Sequence, residues 1–165
     1  MTLPVSPLAP PAGFPDMPPV KGVRFATAAA GVKYQGRDDV MLAVMKSATV
    51  AGVFTKSATR SAPVLDCQAK LSDARGPAAF LVNSGNSNAF TGRAGESSVL
   101  ALCAEASRVT GIPTDRIYTA STGVIGERLP HEKITACLDG MAHSLADGPM
   151  EPAACAIMTT DTFPK

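Results

Sequence analysis

The sequence predicts an α/β fold, because strand-like and helix-like segments alternate along the chain after residue 60. Two segments repeat apolar residues at helical spacing, which indicates amphipathic helices. The first carries Val99, Leu102, Cys103, Ala106 and Val109, and the second carries Ile134, Cys137, Leu138, Met141 and Leu145. With 165 residues, 45% of them apolar, the chain is long enough to bury the core of one domain.

The first part of the chain divides into a proline-rich arm and the start of the domain. Residues 1–20 contain seven prolines and predict an extended arm, and residues 21–165 form the α/β domain. Strands are predicted at 23–27, 40–45 and 49–55, with a hairpin turn at 46–48 between the last two. Residues 36–39, Gly-Arg-Asp-Asp, are interpreted as a solvated turn with a local ion pair.

In the second part of the chain, predicted strands and helices alternate more regularly. Pro63 suits the first turn of a helix that runs to about Leu71, and Gly76-Pro77 then breaks the chain. A buried strand at 78–83, a loop at 84–88 and the first amphipathic helix follow, and that helix stops at Gly111 and Pro113. After these come a short strand at 116–119, a loop containing Thr122-Gly123, the second helix from Leu129-Pro130, a break at Gly148-Pro149 and a strand-like run at 153–158.

Composition excludes several classes of function. A net charge of +1 gives no basic surface for nucleic acid or an anionic membrane, and no apolar run is long enough to span a bilayer. The N-terminus lacks the features of a signal peptide, so we expect a cytoplasmic protein. The four cysteines form no C-x-x-C pair and neither histidine stands at ligand spacing from them, so we expect no metal site.

Thr122 and Gly123 are the first candidate catalytic residues. A hydroxyl next to a glycine at the end of a strand places a side-chain donor beside a backbone N–H that nothing shields. Such a pair of donors is one way to hold the oxyanion that develops in acyl transfer. The alternative is an ordinary strand-to-helix turn, in which glycine is common.

Two further polar segments are candidates for the site. Asn83, Asn86 and Asn88 follow a buried strand, where amide groups either bind substrate or brace a catalytic loop through hydrogen bonds. The alternative is a plain Asx turn. Thr159 and Thr160 belong to Thr-Thr-Asp-Thr, which either positions a substrate or forms a helix cap or a hydroxyl-mediated turn.

Six motifs stand in one order along the chain: GVKYQGRDD at 31–39, AGVFT at 51–55, APV at 62–64, VNSGNSNA at 82–89, STGVIG at 121–126 and IMTTDTFPK at 157–165. Together they resemble the N-terminal, or α, part of the ornithine acetyltransferase (glutamate N-acetyltransferase) family. The resemblance covers about residues 20–165.

The resemblance implies a self-cleaving precursor whose α and β chains stay together and assemble further. Family members move acetyl from N-acetylornithine to glutamate through a nucleophilic threonine at the N-terminus of the β chain. They need no cofactor, and some also use acetyl-CoA as a substrate. Thr122 and Gly123 match the oxyanion pair and Thr159 matches a substrate contact. The implied fold is a layered α/β sandwich, similar to N-terminal nucleophile hydrolases and completed by the β chain.

The sequence departs from the family pattern at its end. The family's Lys-Gly-Ser-Gly stretch and its Ala-Thr cleavage point would follow Lys165, so we expect the last residues of an α chain to be missing and the chain alone to be inactive. Two other interpretations stay open: a related self-processing aminopeptidase, and a non-enzymatic assembly domain.

Overall fold

A four-stranded mixed sheet organises the part of the chain that the computed structural model describes, residues 4–71, 75–148 and 150–164. Its strands are adjacent in chain order: β1 (Val23–Ala28), β2 (Val40–Thr49), β3 (Arg75–Asn86) and β4 (Ile117–Val124). The first three are antiparallel, and β3 and β4 run parallel. A parallel pair needs a long crossover, which the 19-residue helix α2 (Gly92–Thr110) supplies. The α/β class is therefore confirmed.

One face of the sheet carries the main core. Alternate strand residues such as Leu42, Leu81 and Ile117 point to this face and are at most 2% exposed. They pack with apolar residues of α2 and of α3 (His131–Ser144), including Leu102 and Leu138. Both predicted amphipathic helices are present, and Gly111 ends α2 in the left-handed conformation with φ +71°.

The opposite face and the sheet edge are covered by two shorter helices. α1 (Ala62–Lys70) lies against β4 near the stacked rings of Phe80 and Tyr118, whose centroids are 5.4 Å apart. α4 (Met150–Ala156) lies against β1 and β2. None of the helices in the described residues is long and apolar enough to cross a membrane.

The predicted strand at 49–55 and its hairpin are wrong. β2 continues through the predicted turn to Thr49, with a bulge between Met45 and Ala48, because β3 pairs with it along its length. Residues 50–56 then have no regular structure. Gly76-Pro77 does not break the chain either, since both lie in β3, where Pro77 stands opposite the bulge and needs no ladder bond.

Three other boundaries also differ. The strand-like run at 153–158 is largely the helix α4, because alanines favour helix and Ala153 and Ala156 bury one face at a spacing of three. The loop predicted at 84–88 begins later, since β3 extends to Asn86, and Thr122-Gly123 lies within β4. Of the predicted break at Gly148-Pro149, Pro149 lies outside the described residues.

The described part of the proline-rich arm, residues 4–20, is mostly exposed and contains neither helix nor strand. The Ser6 N–H donates to Thr162 Oγ1 near the far end of the chain, at 3.1 Å. The arm therefore returns to the segment that follows α4.

Asp39 is buried and accepts main-chain hydrogen bonds, so it is not part of a solvated turn. Its carboxylate is 0% exposed and accepts the N–H groups of Ala30 at 2.8 Å and Val32 at 2.7 Å. The neighbouring Asp38 accepts a hydrogen bond from the Thr27 hydroxyl. The two carboxylates thus hold the loop between β1 and β2, which corrects the interpretation of residues 36–39.

We expect Asp39→Ala to lower the free energy of unfolding by about 3 kcal/mol, because it leaves two N–H groups without their acceptor. Asp115→Ala, at an exposed position, is the control and should change it by less than about 0.5 kcal/mol. Urea denaturation of both variants measures the difference. Equal losses in the free energy of unfolding would show that the Asp39 carboxylate does not hold the loop.

Candidate active site

The carboxyl-terminal ends of β3 and β4 bring the candidate residues together. In the parallel register Ser84 pairs with Thr122 and Gly85 with Gly123, and the pairing becomes irregular at Asn86. Because parallel strands end at the same edge of a sheet, the asparagine segment and Thr122-Gly123 are neighbours there. Thr122 is half-buried and Gly123 exposed, so both can be reached from solvent.

Gly123 is required by the contact between the two strands. Its φ is +135°, and a Cβ at this position would lie 2.3 Å from the Gly85 carbonyl carbon and 2.6 Å from the Asn86 nitrogen. A Cβ on Gly85 would in turn lie 2.8 Å from the Lys33 Cβ. The sequence predicts that glycine at position 123 leaves its N–H open to a substrate; the backbone of β3 supplies an independent reason for glycine.

α1 covers only the first half of the outer edge of β4. Lys70 Nζ donates to the Ile117 carbonyl at 3.3 Å, and Cys67 Sγ donates to the Thr119 carbonyl at 3.4 Å. These contacts end before Thr122 and Gly123. Strand edges present main-chain groups for further bonding, so the second half of β4 is where a ligand or another strand can approach.

The three asparagines are buried and bonded within the chain. Asn83 accepts from the Ser121 hydroxyl at 2.7 Å and donates to the Asn86 carbonyl at 2.9 Å. Asn88 donates to the Gly95 carbonyl at 3.1 Å and accepts from the Thr91 hydroxyl at 2.9 Å. With exposures of 3%, 3% and 0% for Asn83, Asn86 and Asn88, this geometry suits bracing rather than substrate contact.

Asn86 ties the segment after β4 to the site. Its amide donates to the Glu127 carbonyl at 3.1 Å, and its Oδ1 accepts the Asn88 N–H at 2.8 Å. Ser87 adds two bonds to the Val124 carbonyl, from its N–H at 2.9 Å and its hydroxyl at 2.8 Å. The turn that follows Gly123 is therefore held from the asparagine side.

The segment with Thr159 and Thr160 follows α4 and is attached to β3. The Thr159 N–H donates to Asp161 Oδ2 at 3.3 Å, and the Thr160 side chain is exposed. Just before them, the Ser84 hydroxyl donates to the Ala156 carbonyl at 2.7 Å. Since Ser84 is the neighbour of Thr122, the structure places all three polar segments around the end of β3.

Sequence reasoning missed Arg37. Its Nη2 donates to Ser84 Oγ at 3.2 Å and to the Met158 carbonyl, and its guanidinium carbon lies 4.3 Å from the centre of the Tyr34 ring. The only signal for this role was the arginine itself, beside two aspartates and just before an apolar strand. Its partners are 47 and 121 residues away, which no local pattern reveals.

A second polar cluster lies under α1 and is unsuited to nucleophilic chemistry. Lys70 forms an ion pair with Asp66 at 2.7 Å and donates to Cys103 Sγ at 3.1 Å. Burial raises the pKa of the Cys67 and Cys103 thiols above the ordinary range, so both stay protonated near neutral pH. Burial opposes the charge of Lys70, but the bonds to Asp66 and Cys103 outweigh it and raise its pKa. Within the described ranges, no group of three or more His, Cys, Asp or Glu residues could hold a metal ion.

Comparison with known proteins decides the family. The model of the ArgJ family matches residues 24–165. The chain belongs to the ArgJ family. A relative from Ruegeria pomeroyi named "Arginine biosynthesis bifunctional protein ArgJ" is 61% identical over 98% of this chain, and one of the same name from Bradyrhizobium diazoefficiens is 52% identical over all of it. The chain spans about 40% of the length of these ArgJ relatives.

Solved structures agree with this assignment. The ornithine acetyltransferase of Mycobacterium tuberculosis, determined in complex with ornithine, has a TM-score of 0.79 and 36% identity; the match covers 87% of this chain and 78% of that one. The ArgJ protein of Bacillus halodurans has a TM-score of 0.76 and 32% identity, with 86% and 74% covered. The predicted family and fold class, including the likeness to N-terminal nucleophile hydrolases, are confirmed.

Gly76 and Gly123 have nearly the same positive φ but different surroundings. Together they distinguish the cost of backbone strain from the cost of a steric contact. Gly76 has φ +136° with nothing within 4 Å of an added Cβ, whereas Gly123 has φ +135° and the backbone of β3 in the way. We expect Gly76→Ala to lower the free energy of unfolding by about 1–2 kcal/mol and Gly123→Ala by about 2 kcal/mol more. Chemical denaturation measures both losses, and an equal loss would show that the close approach has no energetic consequence.

Proposed function

We propose that this chain is the α part of an enzyme that transfers the acetyl group of N-acetylornithine to glutamate. The observation that carries the proposal is the pairing of Thr122 with Ser84 and Gly123 with Gly85 at one exposed sheet end, in a chain 61% identical to an ArgJ protein. Ornithine is the ligand of the similar structure from Mycobacterium tuberculosis, which supports the substrate class. The remaining part of the enzyme supplies the nucleophile.

The nucleophile is the N-terminal threonine of a β chain released by cleavage of the precursor. Its α-amino group takes the proton of its own hydroxyl while the oxygen attacks the acetamide carbonyl. The tetrahedral intermediate collapses with cleavage of the C–N bond, the ammonium returns the proton to the departing nitrogen, and ornithine leaves. The amine of glutamate then attacks the acetyl ester and regenerates the threonine, in a ping-pong cycle.

The α part contributes the oxyanion hole and the walls of the site. Thr122 Oγ and the Gly123 N–H donate to the oxygen of the tetrahedral intermediate, where charge develops. Thr159 contacts the substrate, while Asn83, Asn86 and Asn88 keep the strand ends and the following turn in place. Thr160, which is exposed, belongs to the same wall.

The proposal extends to partners and location. The α and β parts form a heterodimer that assembles further in the cytoplasm, with no resident cofactor. Acetyl-CoA serves as an alternative acetyl donor for glutamate. Intact-mass measurement and N-terminal sequencing of the purified full-length protein test the cleavage directly: a second chain that begins with threonine is expected, and a single uncleaved active chain would contradict it.

Removal of the Thr122 hydroxyl tests the oxyanion hole. We expect Thr122→Ala in the full-length protein to lower kcat by about ten- to a thousandfold, because one donor to the oxyanion is lost. Thr122→Ser, which keeps the hydroxyl, is the matched control and should retain most of the activity. Steady-state acetyl transfer from N-acetylornithine to glutamate measures both.

An unchanged kcat in Thr122→Ala would refute the assignment. If the same hole also serves self-cleavage, uncleaved precursor will accumulate in Thr122→Ala and not in Thr122→Ser. Gel analysis of the purified variants reads this out separately from acetyl transfer.

A further inference from the structure

Arg37 joins the strand that carries the candidate oxyanion hole to the segment that carries Thr159. Its Nη2 reaches Ser84 Oγ at 3.2 Å and also the Met158 carbonyl. Ser84 is the register partner of Thr122, and Met158 directly precedes Thr159. One guanidinium therefore lies between the two parts of the proposed site.

The hydroxyl of Ser84 completes this connection. It donates to the Ala156 carbonyl at 2.7 Å and so is left to accept from Arg37. α4 ends at Ala156, and the last carbonyls of a helix have no partner within it. The two side chains thus bind the end of α4 and the residues after it to the C-terminal end of β3.

The geometry suits arginine better than lysine. A guanidinium is planar, so it can stack on the Tyr34 ring, 4.3 Å away, while its N–H groups keep fixed directions toward oxygen acceptors. Arg37 Nε also donates to the Asp38 carbonyl at 3.3 Å. A lysine ammonium would keep the charge without these fixed directions.

We propose that Arg37 is a positioning residue for acetyl transfer: through Ser84 and Met158 it fixes the position of Thr159 relative to Thr122. This inference rests on the proposed function of the site. Errors of about 1 Å in the placement of a reacting group are enough to lower rates a hundredfold. The hydrogen bonds of Arg37 to Ser84 and Met158 therefore affect the rate if they fix the position of Thr159.

Arg37→Ala in the full-length protein tests the proposal. We expect kcat/KM for N-acetylornithine to fall about 30- to 100-fold, with a raised KM because the wall that holds the substrate moves. A loss of folded protein would lower kcat alone and leave KM unchanged. Millimolar guanidinium chloride should restore activity to the variant, whereas methylammonium chloride should not. Arg108→Ala, which removes an exposed guanidinium paired with Glu105 and Asp139, is the control.

A second variant decides the case in which Arg37→Ala fails to fold. Arg37→Lys keeps the charge and removes the planar fork, and we expect it to show the raised KM as well. A fully active Arg37→Lys, an Arg37→Ala with unchanged kinetics, or a folded Arg37→Ala that guanidinium does not rescue would each overturn the proposal.

Hydrogen–deuterium exchange separates this proposal from the proposed function. We expect Arg37→Ala to speed exchange at residues 156–164 relative to the wild type, and Arg108→Ala to leave it unchanged. If the wild type shows no acetyl transfer, the proposed function fails, and the exchange result alone decides whether Arg37 holds the segment. Unchanged exchange in Arg37→Ala would then overturn the inference that Arg37 holds residues 156–164 in place.

Discussion

The close parallel pairing of β3 and β4 is the constraint on which the candidate site depends. Gly85 and Gly123 face each other at its end, and any side chain on Gly123 would enter the backbone of β3. This contact fixes where Thr122 stands relative to Ser84. It also explains why α2 is long, because a parallel pair requires a crossover that runs the length of the sheet. The main core between the sheet and α2 holds that crossover in place.

Hydrogen bonds from polar side chains hold the segments without regular structure against this pair of strands. The Asp39 carboxylate anchors the loop between β1 and β2 through two N–H groups, and Arg37 extends from the same loop to Ser84 and Met158. On the opposite side, Asn86 fixes the turn that follows β4. The end of β3 is thus bonded to three separate parts of the chain. Polar side chains accomplish this because loops leave main-chain groups outside the ladders of sheet and helix, and side chains can supply the missing partners.

Helices that show as apolar periodicity could be predicted from the sequence, whereas contacts between residues far apart in the chain could not. Apolar spacing gave α2 and α3, and Thr122-Gly123 and the asparagines were singled out by residue type. The predicted strand at 49–55 and its hairpin turn at 46–48 were wrong because β2 pairs on that side with β3, where Thr49 stands opposite Arg75, and not with the segment that follows it. Arg37 and Asp39 looked like a solvated turn because nothing local shows burial. Asparagine chemistry left substrate contact and bracing equally open, and burial favours bracing.

The hydroxyls around the candidate site support the proposal that the nucleophile comes from another segment of the protein. Ser84 donates to the Ala156 carbonyl, Ser87 to the Val124 carbonyl and Ser121 to Asn83 Oδ1, so each of these protons already has an acceptor. The buried thiols of Cys67 and Cys103 have raised pKa values and lie under α1. Under the proposed function, the described residues at the end of β4 therefore supply hydrogen-bond donors for an oxyanion. Donors of this kind stabilise a transition state but do not attack a carbonyl, so the proposed acyl transfer requires a nucleophile from another segment.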